Sequence, residues 1–208
     1  MLIPSVTNPA YSQMIDGAER AASAADYLIL LASTGEGDPE IELQLQRLSQ
    51  RVDGVIFASA RKNSHVLDRL DSYDVPVMLL NRAAGPRFHS VIGDDELGVS
   101  LAIRHIVELG HRRIAHIAGP STIDTAERRR KAFVAVCKEL GVPQADNNVV
   151  RGELSVEFGV HATEEFMGRG VRSKPTAIFC GSLALACRLL PRSSSSRRIP
   201  LQPSARCI

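Results

Sequence analysis

The chain has 208 residues, of which 44% are hydrophobic and 4% aromatic, and its formal net charge is +2. A chain of this length and hydrophobicity can bury one large core or two smaller lobes, which excludes disorder over most of its length. Because aromatic residues are scarce and Trp is absent, we expect helices packed on a buried parallel sheet rather than an all-β fold.

Short apolar runs alternate with longer stretches of helical periodicity. In chain order, this pattern predicts strands at residues 2–6, 27–32, 54–58, 75–80, 90–92, 113–118, 148–150 and 177–180. It predicts helices at residues 11–25, 39–51, 64–72, 95–109, 125–140 and 156–168. The repeated β-α-β order predicts an α/β fold with parallel sheets flanked by helices. Ligands of such sheets bind outside the carboxyl ends of the strands, so the residues that follow each strand are candidate contacts.

Two predicted helices carry clear boundary signals. Asp94 or Asp95 can cap the helix at residues 95–109, and Gly110 ends it. The helix at residues 125–140 ends at Gly141 and Pro143.

The pattern stops near the C-terminus. Residues 183–190 can begin one short helix, but residues 191–203 are rich in Arg, Ser and Pro without periodicity, so we expect 187–208 to be disordered. Five arginines and no acid fall after residue 187, which leaves 20 basic and 23 acidic residues in the preceding chain. An acidic body is unsuited to binding the phosphate backbone of nucleic acids.

The four cysteines form no C-x-x-C pair, which favours buried or incidental thiols over a disulfide or metal framework. The N-terminus has no basic segment followed by an apolar stretch, and no window reaches the roughly 18 apolar residues of a membrane span. We therefore expect a cytoplasmic protein that is neither exported nor membrane-bound.

Motifs of known enzyme chemistry are missing from the sequence. The segment 35–37 (GEG) lacks the third glycine of a dinucleotide fingerprint, and His161 with Glu164 and Glu165 lacks the second histidine of a zinc motif. The sequence predicts no catalytic residue, no metal and no cofactor. Residues 128–131 (RRRK) begin a predicted amphipathic helix, which favours a solvated face with one functional arginine over a nucleic-acid patch.

Several motifs together resemble those of one protein family. The most specific is 109–120 (LGHRRIAHIAGP), preceded by 94–98 (DDELG). Supporting pieces occur in order at 8–11 (NPAY), 52–56 (VDGVI), 75–79 (VPVML) with 81–82 (NR), 125–126 (TA) with Arg129 and Phe133, and 177–182 (AIFCGS). Over residues 2 to about 186 the chain resembles the effector-binding domain of the lactose-repressor/galactose-repressor (LacI/GalR) family of bacterial transcription regulators.

The resemblance implies a two-lobed, type I periplasmic-binding-protein-like fold. It implies an N-terminal lobe at residues 1–110 and a partial C-terminal lobe at residues 111–186, with 187–208 as an aberrant tail. It further implies a small effector (a sugar, sugar phosphate or purine) bound between the lobes, and a homodimer in the intact family. Operator DNA would be bound only through a helix-turn-helix domain that this chain lacks.

By similarity, four positions face the effector. The ring of Tyr11 can stack on a sugar or base, although a tyrosine buried under the helix explains it equally well. The planar guanidinium of Arg129 can bind a carboxylate or a pair of hydroxyls through two hydrogen bonds. Thr125 offers a hydroxyl that is equally explained as a helix cap. Leu154 would form an apolar wall.

The sequence departs from the family at both ends. After 181–182 the family usually has an Asp that binds the ligand, and this chain has Leu183. The chain begins almost inside its first strand, and the last strands expected after residue 186 are replaced by the Arg/Ser/Pro segment, which leaves the second lobe incomplete. We attribute this to a changed reading frame near codons 182–187, which translation of the neighbouring frames tests.

Two alternatives to a regulator stay open at this stage. One is the sugar-binding protein of a transport system, and the other is a non-functional remnant of a regulator. A sugar or nucleoside enzyme is disfavoured because the acids near strand ends, Glu36, Asp38 and Asp94, are explained as loop or cap residues.

Overall fold

The computed structural model describes residues 1–6, 8–35, 38–62, 64–143, 146–186 and 206–207. They form two compact units. The first comprises Met1–Gly93 with Thr122–Asp124, and the second comprises Asp94–Ser121 with Thr125–Ile208.

The first unit is a five-stranded parallel sheet with helices. Its strands are β1 (Leu2–Ile3), β2 (Ala32–Ser33), β3 (Val55–Phe57), β4 (Val77–Leu80) and β5 (His89–Val91), in the order β2-β1-β3-β4-β5. Its helices are α1 (Pro9–Ala24), α2 (Asp38–Leu48) and α3 (His65–Arg69), the last followed by a 3-10 turn at Leu70–Tyr73. Asn8 caps α1 by accepting from the backbone N–H of Ala10, and Pro9 occupies the first helical turn.

The second unit is a four-stranded parallel sheet. Its strands are β6 (Ile114–Ala118), β7 (Val149–Arg151), β8 (Ala177–Cys180) and β9 (Arg206–Cys207), in the order β7-β6-β8-β9. Its helices are α4 (Asp95–Glu108), α5 (Asp124–Glu139), α6 (Val156–Gly168) and α7 (Leu183–Ala186), with a 3-10 turn at Asp146–Asn148. All five residues of β6 are buried, as expected for a central parallel strand with both faces covered.

The boundary between the units differs from the expected division after residue 110. Helix α4 belongs to the second unit because its apolar stripe, Val99, Ile103 and Ile106, packs in one cluster with Ile114 and Phe133. The family resemblance implied the other unit, but burial of this stripe decides where the helix lies.

The elements match the alternation expected from the sequence, and the strands are generally shorter than expected. The largest difference is the run at residues 27–32, of which only Ala32 lies in a strand, β2. Leu28 and Leu30 in this run are 94% and 53% exposed. The expected disorder of residues 187–208 lies outside the described residues, except for β9, which pairs in parallel with β8. For the rest of that segment, disorder stays a prediction.

The structure describes the side chains of two cysteines. Cys137 is buried and Cys180 is partly buried, and neither forms a disulfide. Burial raises the pKa of the Cys137 thiol to about 12, so this thiol is protonated and inert near neutral pH.

No group of three His, Cys, Asp or Glu among the described residues is arranged to hold a metal ion. None of the helices in the same ranges has the length and hydropathy of a membrane span.

Gly159 in α6 allows the short helix α7 to pack closely. A Cβ at Gly159 would lie 2.2 Å from the carbonyl oxygen of Leu185, and a backbone atom cannot move aside as a flexible side chain can. We expect Gly159→Ala to lower the free energy of unfolding by about 1–3 kcal/mol. Gly168→Ala in the same helix is the matched control, because no atom lies within 4 Å of that Cβ. Urea denaturation of both variants tests this, and equal stability would refute the close contact.

Candidate functional site

The carboxyl ends of three strands meet at one edge of the second sheet. Ala118 at the end of β6 is in register with Arg151 at the end of β7, and Ile117 of β6 pairs with Cys180 of β8. The loops that follow these strands therefore lie at the same edge, where parallel sheets bind ligands. The loop after β6 leads into helix α5, and the loop after β7 contains Leu154. Leu183 follows the loop after β8.

Arg129 is held in place by two hydrogen bonds. Its Nε donates to Oδ1 of Asp95 at 2.6 Å, and its Nη1 donates to the carbonyl oxygen of Gly181 at 2.7 Å. The side chain is 32% exposed, whereas that of Asp95 is 6% exposed. A guanidinium has five N–H donors, so these two bonds leave further donors at Nη1 and Nη2 for a ligand.

Asp95 also binds the neighbouring Arg128. The Nε and Nη2 of Arg128 donate to Oδ2 of Asp95 at 2.9 and 2.6 Å. Asp95 is available for both arginines because Asp94, and not Asp95, caps α4 by accepting from the N–H of Leu97 at 2.9 Å. The sequence left this choice open.

A second carboxylate joins the next two arginines. Glu127 accepts from Nη2 of Arg130 and from Nη1 of Arg151, each at 2.9 Å. The hydrogen bond from Arg130 is the largest cause that lowers the pKa of Glu127 to about 2, with Arg151 adding to it. In the run 128–131, the three arginines are each paired with a carboxylate and are between 21% and 32% exposed, whereas Lys131 is exposed. A solvated face with one functional arginine stays a prediction.

Thr125 and Leu154 lie at the same edge of the sheet. Thr125 is 5% exposed in the first turn of α5. Leu154 is partly buried against the cluster that includes Ile117 and Phe166. A Cβ at Gly119 would come within 2.6 Å of a methyl group of Leu154, so the glycine after β6 permits this contact. Leu183 is 54% exposed.

His116 is a buried polar residue that the sequence did not identify as part of this edge. Its ring lies 4.9 Å from that of Phe133 and 5.0 Å from that of Phe179, and Nδ1 lies 3.0 Å from the carbonyl oxygen of Phe179. The pKa of His116 is lowered to about 4, chiefly by desolvation; Arg151, Arg130 and Arg129 contribute to the lowering, and the hydrogen bond to the carbonyl of Phe179 opposes it. The ring is therefore neutral near pH 7, with Nδ1 as the donor. Nε2 is buried and has no partner in the described chain.

In the first unit, polar side chains also follow the strands. Thr34 after β2 and Ser59 after β3 are buried, and their hydroxyls lie 2.6 Å apart. Arg82 after β4 is 4% exposed, and its Nη2 donates to the hydroxyl of Tyr11 at 3.4 Å. These residues lie in the segments that the topology singled out, although the sequence could not select among them.

Tyr11 is 3% exposed and lies in an apolar cluster with Met1, Ile3 and Ala58. Its ring packs as a core side chain in this conformation, and only its hydroxyl meets a polar partner. Stacking of the ring on an effector stays a prediction.

The four positions predicted to bind an effector thus fall into separate groups. Thr125, Arg129 and Leu154 belong to the second unit and gather at one sheet edge, whereas Tyr11 belongs to the first unit. The second-unit group combines a fixed guanidinium, a hydroxyl and an apolar wall, a set able to orient a small polar molecule.

Comparison with known proteins agrees with this architecture. Residues 1–187 match the family described as "Periplasmic binding proteins and sugar binding domain of LacI family". The chain is 30% identical to the ribose operon repressor of Escherichia coli (strain K12) over 189 residues, covering 89% of this chain and 57% of the repressor. It is 29% identical to catabolite control protein A of Priestia megaterium over 190 residues, covering 89% and 56%. The chain thus spans little more than half the length of these relatives.

Solved structures show the same relationship. A LacI-family transcriptional regulator from Mycobacterium smegmatis is 30% identical, with a TM-score of 0.74 over 90% of this chain and 72% of that one. The transcriptional regulator CelR in complex with cellobiose is 26% identical, with a TM-score of 0.77 over 86% of this chain and 57% of that one. The match to the family model covers most of the chain, and the chain therefore belongs to the family of periplasmic binding proteins and sugar-binding domains of LacI-type regulators.

Proposed function

We propose that the chain is the effector-sensing domain of a LacI-type transcription regulator. It binds a small polar molecule, a sugar or a related compound, without converting it. The effector contacts that we propose are Arg129, Thr125, Leu154 and Tyr11.

The observation that carries the proposal is the fixed position of Arg129. Asp95 and the carbonyl of Gly181 hold the guanidinium at the carboxyl edge of the sheet before any ligand arrives. A preorganised fork loses little conformational entropy on binding, and it matches the paired oxygens of a diol, carboxylate or phosphate.

Named relatives support the regulatory role. The ribose operon repressor is named for a sugar operon, and the solved structure of CelR contains cellobiose. Effector binding would shift the protein between two conformations, and the intact regulator would transmit this change to operator DNA in the cytoplasm through a separate helix-turn-helix domain.

The intact regulator would act as a homodimer. Large apolar side chains on the surface are consistent with a second copy, among them Leu28 at 94% exposure and Leu101 on α4 at 62%.

A thermal-shift screen of the whole chain with sugars and purines tests the sensing function. A ligand present at 100 times its Kd stabilises the folded state by about 2.7 kcal/mol, so a true effector should raise the melting temperature by several degrees. Chromatography of the hit after incubation should recover it unchanged. The proposal fails if no compound shifts the melting temperature, or if the hit is turned over.

A sugar-binding protein of a transport system is the second candidate, because the description of the matched family covers both kinds of protein. The DNA upstream of the first codon separates them. A helix-turn-helix coding segment in frame supports the regulator, and a secretory leader in its place supports the transport protein.

A further inference from the structure

His116 lies directly against the backbone segment that fixes Arg129. The carbonyl oxygen of Gly181 accepts a hydrogen bond from Nη1 of Arg129 at 2.7 Å. A Cβ placed on Gly181 would lie 3.2 Å from Cε1 of His116, which is closer than ordinary van der Waals contact. The imidazole ring therefore packs against Gly181 and limits how far this residue can move.

Two hydrogen bonds attach the end of β8 to β6 beside this contact. Nδ1 of His116 donates to the carbonyl oxygen of Phe179 at 3.0 Å, and the N–H of Gly181 donates to the carbonyl oxygen of Ile117 at 2.9 Å. The segment 179–181 is thus held at both of its ends by adjacent residues of β6. Because one of these bonds comes from a side chain, the position of the Gly181 carbonyl depends on which residue stands at position 116.

The ring of His116 also lies between the helix that carries Arg129 and the strand that leads to Gly181. Its centroid lies 4.9 Å from that of Phe133 in α5 and 5.0 Å from that of Phe179 in β8. Phe133 follows Arg129 by about one helical turn, so both side chains leave the same face of α5. His116 and Phe133 are fully buried, and closely packed interiors leave side chains little freedom to shift. The ring therefore sets the spacing between α5 and β8.

From these contacts we infer that His116 is a positioning residue for effector binding. It does not touch the effector, because its side chain is fully buried. It holds the Gly181 carbonyl at the place where Arg129 is fixed, and Arg129 makes the contact. The inference rests on the proposed sensing function and adds one residue to the set that produces binding.

The alternative is that His116 only fills the core. Its Nε2 is buried and has no hydrogen-bond partner among the described residues, and such an unsatisfied acceptor is unfavourable in a protein interior. An apolar side chain at this position would avoid that penalty, so packing alone favours leucine or phenylalanine over histidine. The feature that histidine adds is the Nδ1–H that binds the carbonyl oxygen of Phe179.

Titration calorimetry of the whole chain at neutral pH, with a hit from the thermal-shift screen, tests the inference in a double-mutant cycle. His116→Phe keeps a ring between Phe133 and Phe179 but removes the donor. We expect it to weaken effector binding by roughly three- to thirtyfold, within the range of interaction energies between residues in contact. In the Arg129→Gln background the same change should weaken binding by less than about twofold, because the side chain through which His116 acts is gone. Equal losses in both backgrounds, or parent affinity in His116→Phe, overturn the inference.

Phe166→Leu is the control for a purely structural effect. Phe166 is fully buried in α6 and packs with Ala115 and Ile117, the neighbours of His116 in β6, whose side chains point to the opposite face of the sheet. This variant should lower the melting temperature without changing the Kd of the effector at a temperature where the protein is folded. A loss of affinity equal to that of His116→Phe would mean that general destabilisation explains both, and it would overturn the inference.

Hydrogen exchange followed by NMR measures the positioning without an effector. In His116→Phe, the amide of Gly181 and the Nε–H of Arg129 should exchange at least about tenfold faster than in the parent chain, because local opening of the segment 179–181 becomes easier. Amides of α6 should keep their parent exchange rates. Unchanged exchange at both groups overturns the inference. If the thermal-shift screen gives no hit, the sensing function fails, whereas the exchange rates still decide whether His116 holds Gly181 in place.

Discussion

Lowering the pH from 6.5 to about 4 should remove roughly 3 kcal/mol from the free energy of unfolding, because His116 resists protonation in the folded state. Its ring is fully buried between Phe133 and Phe179, and its Nδ1 proton is donated to the carbonyl of Phe179. A second proton on Nε2 would place a positive charge in a buried site close to three arginines.

The direction follows from which state binds the proton. The folded pKa of His116, about 4, is depressed below the ordinary value of 6.5, so between these values the unfolded chain binds a proton that the folded chain excludes. The contribution of neutral His116 to the free energy of unfolding is therefore complete above pH 6.5, declines as the pH falls, and is lost by about pH 4. The pKa of Glu127 is lowered from 4.5 to about 2, so its contribution is lost at still lower pH.

Urea denaturation followed by circular dichroism between pH 4 and pH 7 measures the effect. His116→Asn keeps a donor near the position of Nδ1 but does not titrate, so this variant should be less stable at pH 7 and show a flatter pH profile. His89→Asn, at an exposed position in β5, is the matched control and should keep the parent profile. If His116→Asn retains the full acid sensitivity, the burial of a neutral imidazole is not its cause.

Replacing Arg129 with Gln should weaken effector binding by about 10- to 150-fold, which corresponds to the 1.5–3 kcal/mol of a hydrogen bond to a charged group. Gln retains some polarity but lacks both the charge and the planar fork. The fold should survive, because Asp95 keeps its two hydrogen bonds to Arg128 and is not left as an unpaired buried charge.

Titration calorimetry with a hit from the thermal-shift screen checks this prediction, alongside Arg129→Lys. The lysine retains the charge but not the fork, so it should recover only part of the affinity. Arg112→Gln is the control, since this exposed arginine donates only to the backbone oxygens of Val107 and His111. Parent-like affinity in Arg129→Gln would exclude Arg129 as an effector contact.

The fold class, and the sheet edge at which to look for a site, can be predicted from the amino-acid sequence alone. Short apolar runs predict buried parallel strands, and amphipathic stretches predict the flanking helices. In both cases the spacing of the apolar residues fixes which side of the element is buried. The motif at residues 109–120 indicated the family, and residues 1–187 match its model. Arg129 was selected by similarity, and its place at the carboxyl edge of the sheet follows from the topology.

The pairing of the polar side chains and the burial of individual residues could be assigned only from the folded chain. The sequence left two candidates for the cap of α4, and the structure assigns that role to Asp94, which frees Asp95 for two arginines. The structure also shows that helix α4 belongs to the second unit and that Tyr11 lies in the core of the first. Ion pairs such as that of Arg151 with Glu127 join residues 24 positions apart, and local periodicity carries no information about such distant partners. Burial and charge pairing depend on every element that packs around a residue, so they emerge only once the chain has folded.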